Sequence, residues 1–255
     1  MKRYFAFGCS FTNHSWASVA DFIGVNFDEF RNLGVSGSSN THMAERLLQA
    51  NEKFNFTKND FVTVGTTGIG RFSYIDKHSL DWTHSGDILH IWPEHPRLSK
   101  VWANEFDSKY FASYRSTIAI KCIRLLLESF GVKYRIYGAV NNLNFIDDQE
   151  CQSFLKEFYR LHDIDDTIDE HVARTRQSNE VSGYRFENNY VDTHPSQLQH
   201  YRYFKQYFPE FDNEKTDEFF KIVETNLDLS DNQAQAGKWY DFRLSQQNYK
   251  LITKL

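Results

Sequence analysis

Over its first 70 residues the chain alternates short apolar segments with amphipathic ones, and this alternation constrains the fold more than any other feature. Residues 4–7 and 61–64 are largely apolar runs that end at Gly8 and Gly65, as buried strands do, and the first strand is predicted over residues 3–7. Between them, apolar side chains recur at the spacing of helices that pack on a sheet. The order β-α-β-α-β predicts an α/β domain with a mostly parallel sheet between two helical layers, a three-layer α/β/α sandwich of the flavodoxin-like kind.

The remainder of the chain continues this pattern but interrupts it twice. A long apolar helix is predicted over residues 108–130 and a further strand over residues 133–140. Residues 72–106 are rich in tryptophan and histidine, residues 145–190 are polar and acidic, and both segments are interpreted as insertions. Because the chain shows no internal repeat and no low-complexity tract, we expect a single domain that spans residues 1–255.

The net charge, the apolar stretches and the cysteines of the chain indicate which classes of protein it can belong to. The net charge is −5 and the pI about 6.1, values typical of proteins without a broad nucleic-acid-binding surface. No apolar stretch approaches the ~20 residues that cross a bilayer, and no signal peptide is recognisable. The cysteines, Cys9, Cys122 and Cys151, are odd in number and form no CxxC pair. We therefore expect a reduced, cytoplasmic protein that binds neither nucleic acid nor membrane and has no structural zinc.

One serine and one Asp-x-His pair, at opposite ends of the chain, are the residue types of nucleophilic catalysis. Ser10 follows the apolar run of residues 4–7, and a strand that ends in Gly-x-Ser presents a hydroxyl at the edge of a sheet. Asp192 and His194 lie far downstream, where they can supply a base and the carboxylate that orients it. Because serine is a weak nucleophile until a base takes its proton, the three side chains together predict acyl transfer.

Each motif also has a plainer interpretation. Residues 8–10 can form an ordinary turn in which Ser10 caps the next helix, and residues 192–195 can form a surface turn that starts a helix at Pro195. Cys9 is an alternative nucleophile, but we do not favour it, because a side chain next to Ser10 should point in a different direction. It is better explained as a small buried thiol. The order and placement of the motifs together favour the serine-centred interpretation.

These motifs resemble the sequence blocks of the SGNH (GDSL-type) hydrolase superfamily, and within it the small divergent members found in phage genomes. Residues 8–10 (Gly-Cys-Ser) correspond to the family's Gly-Asp-Ser block, with cysteine in place of the acid. Residues 192–195 (Asp-Thr-His-Pro) correspond to the last block, which usually reads Asp-x-x-His-Pro. The resemblance implies the SGNH hydrolase fold, with Ser10 as nucleophile, His194 as general base and Asp192 as the acid that orients it.

The same resemblance implies an oxyanion hole. Residues 32–37 (Asn-Leu-Gly-Val-Ser-Gly) match the second block, whose functional glycine corresponds to Gly37. Residues 65–68 (Gly-Thr-Thr-Gly) correspond to the third block and place Thr67 where the family has an asparagine. The N–H groups of Ser10 and Gly37, the Thr67 hydroxyl and the N-terminus of a helix expected after the serine would bind the oxyanion. The side chain of threonine is shorter than that of asparagine, so its hydroxyl reaches less far toward the oxyanion. This difference predicts weakened catalytic activity.

Three further residues are candidates for substrate binding. Arg71 follows the third block and can bind an anionic group, although it can equally be a solvated arginine. Trp82 and Trp92 belong to the predicted insertion 72–106, where they can stack on a sugar or simply anchor the segment. The histidines of residues 78–95 lack a ligand spacing such as HxxxH, so we predict no metal site and no cofactor.

The expected function is a serine esterase that removes an O-acetyl or short acyl group from a carbohydrate or another small polar acceptor. This substrate class comes from the resemblance. Two alternatives stay open: a non-catalytic member that serves as a structural or carbohydrate-binding protein of a virion, and an acyltransferase that uses the same triad. If the chain is virus-encoded, as the phage-type resemblance implies, it would work in the host cytoplasm or the virion.

Overall fold

The computed structural model describes residues 1–75, 82–84, 97, 100–101, 108–140, 142, 149–161, 164, 166–176, 182–246 and 248–251. Most of the predicted 72–106 insertion, including Trp92, lies outside these residues, as do parts of the predicted 145–190 insertion. No described helix is long and apolar enough to cross a bilayer.

The described strands form one central sheet and two short antiparallel pairs. In chain order they are β1 (Arg3–Phe7), β2 (Glu29–Asn32), β3 (Phe61–Thr66), β4 (Ser73–Ile75), β5 (Trp82–His84), β6 (Lys133–Gly138), β7 (Tyr184–Arg185), β8 (Val191–Asp192) and β9 (Tyr249–Leu251). The central sheet has the order β6-β3-β1-β2-β9 and all of its neighbours are parallel. The pairs β4–β5 and β7–β8 are antiparallel.

Helices cover both faces of the sheet. In chain order they are α1 (Val19–Gly24), α2 (Asn40–Phe54), α3 (Lys109–Ser129), α4 (Gln149–Leu161), α5 (Ile168–Thr175), α6 (Gln197–Tyr207), α7 (Glu214–Thr225) and α8 (Asn232–Ser245). Helix α1 contacts α6 and α7 on one face, whereas α2 contacts α3, and α3 contacts α4, on the other. The chain reverses its direction across the sheet after β2, so right-handed crossovers put α1 and α2 on opposite faces. The predicted three-layer α/β/α class with a parallel sheet is confirmed.

Strand β1 lies at the centre of the core, which explains why its sequence is continuously apolar rather than alternating. Tyr4, Phe5 and the two residues after them are fully buried because helices cover both sides of the strand. The Tyr4 ring stacks on Phe27, Phe30 and Phe61 with centroids 5.2, 5.0 and 5.8 Å away, and its hydroxyl lies 2.6 Å from the Thr63 hydroxyl oxygen. A rigid central strand of this kind fixes the position of the loop that comes after it.

The helix after the first strand begins later than the sequence predicts. We expected a helix directly after Ser10, but α1 begins at Val19. The backbone N–H groups of Thr12 and Asn13 both donate to the Cys9 carbonyl, at 2.9 and 3.2 Å, and so close a single turn around the serine. Ser18 then forms the capping box that starts α1. The prediction that a helix N-terminus faces Ser10 and helps to bind the oxyanion is therefore wrong. A single backbone turn lies there instead.

Other predicted elements agree with the structure. The predicted helix over residues 108–130 is α3, for which Ser108 is the N-cap, and the predicted strand over residues 133–140 is β6, which ends at Gly138. Cys9 is fully buried in the hydrophobic core, as expected for a small apolar thiol. Strand β9 has no clear sequence signal, because it is only three residues long and extends the sheet by pairing with β2.

A buried ion pair joins the C-terminal helix to the first one, and breaking it should destabilise the fold. Arg243 Nη2 of α8 lies 2.9 Å from Asp21 Oδ2 of α1, and both side chains are about 95% buried. Asp21→Asn should lower the free energy of unfolding by ~3–5 kcal/mol, because the guanidinium keeps its charge and loses its counter-charge. Urea denaturation measures this loss.

The matched control is Glu157→Gln, which breaks the exposed Glu157–Arg160 pair within α4. More than half of each side chain is exposed, so the denaturation midpoint should stay unchanged. An equal and negligible effect of both substitutions would contradict the structural role given to the buried pair.

Candidate active site

The structure brings the three side chains of the predicted triad together at the carboxyl edge of the sheet. Ser10 lies just beyond β1 and is buried, with only 3% of its surface exposed. The His194 Nε2 atom lies 2.8 Å from the Ser10 Oγ atom, and its Nδ1 atom lies 2.7 Å from Asp192 Oδ1. These two contacts form a continuous chain from hydroxyl to imidazole to carboxylate. Such a chain can draw a proton from serine and stabilise the imidazolium that results.

The segment that carries Asp192 and His194 is held beside Ser10 by contacts from both sides. Trp16, in the loop after β1, donates its indole N–H to the Pro195 carbonyl at 2.8 Å. On the other side, Gly183 adopts φ +73°, and a Cβ there would lie 1.9 Å from the Asp192 carbonyl oxygen. The hairpin of β7 and β8 therefore needs glycine at this position, both for its backbone conformation and for the close approach of the two segments.

Asp192 is a buried carboxylate with several polar neighbours. Its Oδ1 atom accepts the His194 side chain and also the His194 backbone N–H, the latter at 3.0 Å. Its Oδ2 atom lies 3.5 Å from Asn232 Nδ2 and 3.6 Å from His14 Nε2. Burial by itself would raise the pKa of Asp192, but the hydrogen bonds from His194 and the nearby His14 lower it below its ordinary value. The carboxylate is thus held in its charged form near neutral pH.

His14 is a member of the site that the sequence did not reveal. Its ring centroid lies 4.2 Å from that of His194 and 4.3 Å from that of Trp16, and only 11% of its side chain is exposed. Burial and the nearby His194 lower its pKa to about 4, so it is neutral at physiological pH. Its position four residues after Ser10 was the available signal, but spacing alone does not show that a loop folds back on itself.

The loop that carries His14 is tied down at both ends. The Thr12 carbonyl accepts the side-chain amide of Asn32 at 2.9 Å, and the Ser15 carbonyl accepts that of Gln235 at 3.0 Å. Asn32 lies in the second motif and Gln235 in α8, so parts of the chain that are far apart hold the same loop. The location of His14 against His194 is therefore fixed by the tertiary structure.

Gly37, the residue expected to complete the oxyanion hole, lies in a turn of the second motif, which contacts the first motif. The Val35 N–H donates to the Gly8 carbonyl at 2.9 Å, which joins the second motif to the first, and Gly37 adopts φ +75°. Within the described part of the chain, the backbone N–H groups of Ser10 and Gly37 donate no hydrogen bond. Free N–H donors on two adjoining loops are what the binding of an oxyanion requires.

Thr67 is fully buried, and its backbone is held by two asparagine side chains. Its N–H donates to Asn40 Oδ1 at 2.9 Å, and its carbonyl accepts Asn40 Nδ2 at 3.1 Å and Asn142 Nδ2 at 3.4 Å. The Thr67 hydroxyl is buried and has no hydrogen-bond partner among the described residues. A buried hydroxyl without a partner is unusual and leaves its donor available to another group.

Asn40 lies at the start of α2 but does not cap it. The cap is the hydroxyl of Ser39, which accepts the His42 N–H at 3.3 Å. Asn40 is the first residue of the helix, and its amide also donates to Ser116 Oγ at 2.6 Å. A single amide thus links α2, α3 and the loop after β3.

The predicted substrate-binding residues are described only in part. Arg71 is half-buried in a turn in which its N–H donates to the Gly68 carbonyl at 3.2 Å. Its Nη1 atom is buried and makes no hydrogen bond to a described residue. The backbone of Trp82 belongs to β5, but its side chain, like the whole of Trp92, lies outside the described residues. The predicted stacking role of the two tryptophans stays a prediction.

The structure is similar to solved structures of GDSL proteins, the family that the sequence motifs resemble. A lipolytic protein of the G-D-S-L family from Veillonella parvula DSM 2008 aligns with a TM-score of 0.46 and 12% identity, covering 81% of this chain and 97% of that one. A GDSL-like lipase from Bacteroides thetaiotaomicron VPI-5482 aligns with a TM-score of 0.42 and 12% identity, covering 82% and 86%. No protein-family model and no curated protein matches the chain.

The clamp on Thr67 can be tested by a substitution that keeps the shape of the Asn40 side chain. Asn40→Asp replaces an amide donor with a charged acceptor, which would face the Thr67 carbonyl, while the Ser116 hydroxyl would turn to donate to the carboxylate. We expect a loss of ~1–3 kcal/mol in the free energy of unfolding, because the buried Thr67 carbonyl loses its Asn40 donor and faces an acceptor instead. Ser116→Ala, which removes only one of these bonds, should cost less. Thermal unfolding of both variants measures the difference, and equal losses would contradict the clamp.

Proposed function

We propose that this protein is a serine ester hydrolase of the SGNH type, with Ser10 as its nucleophile. The observation that carries the proposal is the chain of two short contacts, 2.8 Å from Ser10 Oγ to His194 Nε2 and 2.7 Å from His194 Nδ1 to Asp192 Oδ1. Each residue is therefore within reach of the group on which it would act. The proposal would make the chain a hydrolase, as the GDSL resemblance of its motifs implies.

The chemistry follows from this geometry. In the acylation half, His194 Nε2 accepts the hydroxyl proton while Ser10 Oγ attacks the carbonyl carbon of the ester. The same nitrogen then gives its proton to the departing alcohol, which leaves an acyl group on the serine. In the second half, water replaces the alcohol and the steps repeat in reverse order. Throughout, the ionised Asp192 holds the Nδ1 proton and stabilises the imidazolium.

The oxyanion of each tetrahedral intermediate needs donors that are already in place. The backbone N–H groups of Ser10 and Gly37 are unused by the described residues, and the Thr67 hydroxyl is buried and also without a partner. Donors that have no other partner can act at the moment the charge develops. We propose that they form the oxyanion hole, with the threonine hydroxyl in the role that asparagine has in the family.

The substrate we propose is a short acyl ester, such as an O-acetyl group, on a carbohydrate or another small polar acceptor. Arg71 supports an acceptor that carries a negative charge, because its half-buried guanidinium has a buried Nη1 atom without a partner among the described residues. In this proposal Trp82 and Trp92 contact the acceptor. Neutralising Arg71 should then raise KM for an anionic acceptor more than for a neutral one.

A non-catalytic role for the same fold is the principal alternative. A chain that serves only as a structural or carbohydrate-binding protein has no need for a buried serine within 2.8 Å of an imidazole. The contact between Ser10 and His194 therefore favours the enzyme. An acyltransferase would use the same triad but would transfer the acyl group from the serine to an alcohol instead of to water. Analysis of the products formed with added alcohols would detect this transfer.

Covalent labelling tests the nucleophile before the substrate is known. A fluorophosphonate should modify the wild-type protein at Ser10, and Ser10→Ala should abolish both labelling and hydrolysis of a nitrophenyl acetate without lowering the melting temperature. The matched control is Cys9→Ala, which alters the neighbouring buried thiol and should still be labelled. Labelling that persists in Ser10→Ala, or that maps to another peptide by mass spectrometry, would exclude the assignment.

The contribution of the Thr67 hydroxyl can be isolated with a neighbouring threonine as control. Thr67→Val should lower kcat roughly 10- to 100-fold with little change in KM, because an oxyanion donor acts only in the transition state. The hydroxyl of Thr66 instead donates to the Tyr137 carbonyl at 3.3 Å, so Thr66→Val should lower stability and leave kcat unchanged. A kcat that is unaltered in Thr67→Val would mean that the backbone donors act without it.

A further inference from the structure

His14, Asp192 and His194 form a cluster that can hold a metal ion. One ligand atom from each residue lies within 4.8 Å of the other two. The His14 Nε2 atom lies 3.6 Å from one carboxylate oxygen of Asp192, Oδ2, and the His194 Nδ1 atom lies 2.7 Å from the other oxygen, Oδ1. Around a tetrahedral ion with bonds of about 2.0–2.2 Å, neighbouring ligand atoms lie roughly 3.3–3.6 Å apart. Small shifts of the side chains would therefore bring the three atoms onto one ion.

We propose that these three residues bind a divalent ion of the zinc class and that the bound ion inactivates Ser10. The inactivation rests on the proposed hydrolase function, whereas the binding does not. Two imidazoles and a carboxylate are the donor set of many three-ligand zinc sites, in which water takes the fourth position. His194 is about one-third exposed, so an ion from solvent can reach the cluster.

The inactivation follows from the single proton of a neutral imidazole. In the working triad this proton is on His194 Nδ1, facing Asp192, and Nε2 is free to accept the proton of Ser10. A metal ion on Nδ1 takes the lone pair there, so the imidazole proton moves to Nε2 and no proton is gained or lost by the ring. With Nε2 protonated, His194 can donate to the serine oxygen but can no longer act as its base.

The environment of His14 makes this a reversible site of moderate affinity. Its Nδ1 atom is buried and has no hydrogen-bond partner among the described residues. When a metal occupies Nε2, the ring proton must lie on this nitrogen, and no acceptor is there to receive it. Metal-bound histidines usually donate that proton to an acceptor, so we expect binding about one to two orders of magnitude weaker than at a fully supported site. A dissociation constant on the order of micromolar is expected.

Titration with cobalt and zinc tests the binding without any assay of activity. Protein that has been treated with a chelator should take up one equivalent of Co²⁺, with the visible absorption bands of a four- or five-coordinate ion, and Zn²⁺ should displace it. His14→Phe keeps the ring between Trp16 and His194 but removes a ligand atom, and it should weaken binding at least tenfold. His14→Gln is a second variant for the same purpose. His171→Gln is the matched control, since it removes a histidine that packs against Tyr203 and Tyr207.

The inactivation is tested on the same proteins. Zn²⁺ at a few times its dissociation constant should slow fluorophosphonate labelling of the wild type several-fold, EDTA should restore it, and His14→Phe should need at least tenfold more zinc. Absence of binding up to millimolar zinc, or equal binding by wild type and His14→Phe, would overturn the site. Zinc binding that depends on His14 in a protein that is never labelled would support the site and refute only the hydrolase function.

Discussion

The candidate site depends on one tertiary contact, the packing of the loop after the first strand against the segment that follows the β7–β8 hairpin. Trp16 donates its indole N–H to the Pro195 carbonyl at 2.8 Å, and the same ring packs on Tyr184 with centroids 4.9 Å apart. Without this contact, Ser10 would lie at the end of a well-ordered strand with no base beside it. The chemistry of the site is thus a property of two loops held against each other.

Burial and hydrogen bonding act in opposite directions within that contact, and their balance sets the charge of each group. Burial disfavours every charge, which lowers the pKa of His14 to about 4 and that of the fully buried His200 to about 3. At Asp192 the same burial is outweighed by hydrogen bonds from His194, and the carboxylate stays ionised. An ionised Asp192 beside the ring is what His194 would need to serve as a base.

The same arrangement explains why the atoms of the proposed general base, His194, and of its carboxylate partner, Asp192, can also serve as metal ligands. A base must have a free nitrogen and an anion nearby, and a zinc ligand set has the same requirements. The second imidazole, that of His14, lies on the opposite oxygen of the same carboxylate, with its Nε2 atom 3.6 Å away. Under the proposed inactivation, the active and inactive states differ in whether the carboxylate faces a proton on His194 or a metal ion.

The sequence by itself determined the layers of the fold and indicated which residues form the predicted triad. The continuous apolar run of β1 requires burial on both faces, and the motifs around Ser10 and Asp192 follow from local residue order. Only the tertiary structure decided that Asn40 clamps Thr67 and that His14 lies on His194 at a centroid distance of 4.2 Å. The physical reason is that strands and turns follow from neighbours in the chain, whereas contacts between loops depend on how distant segments pack.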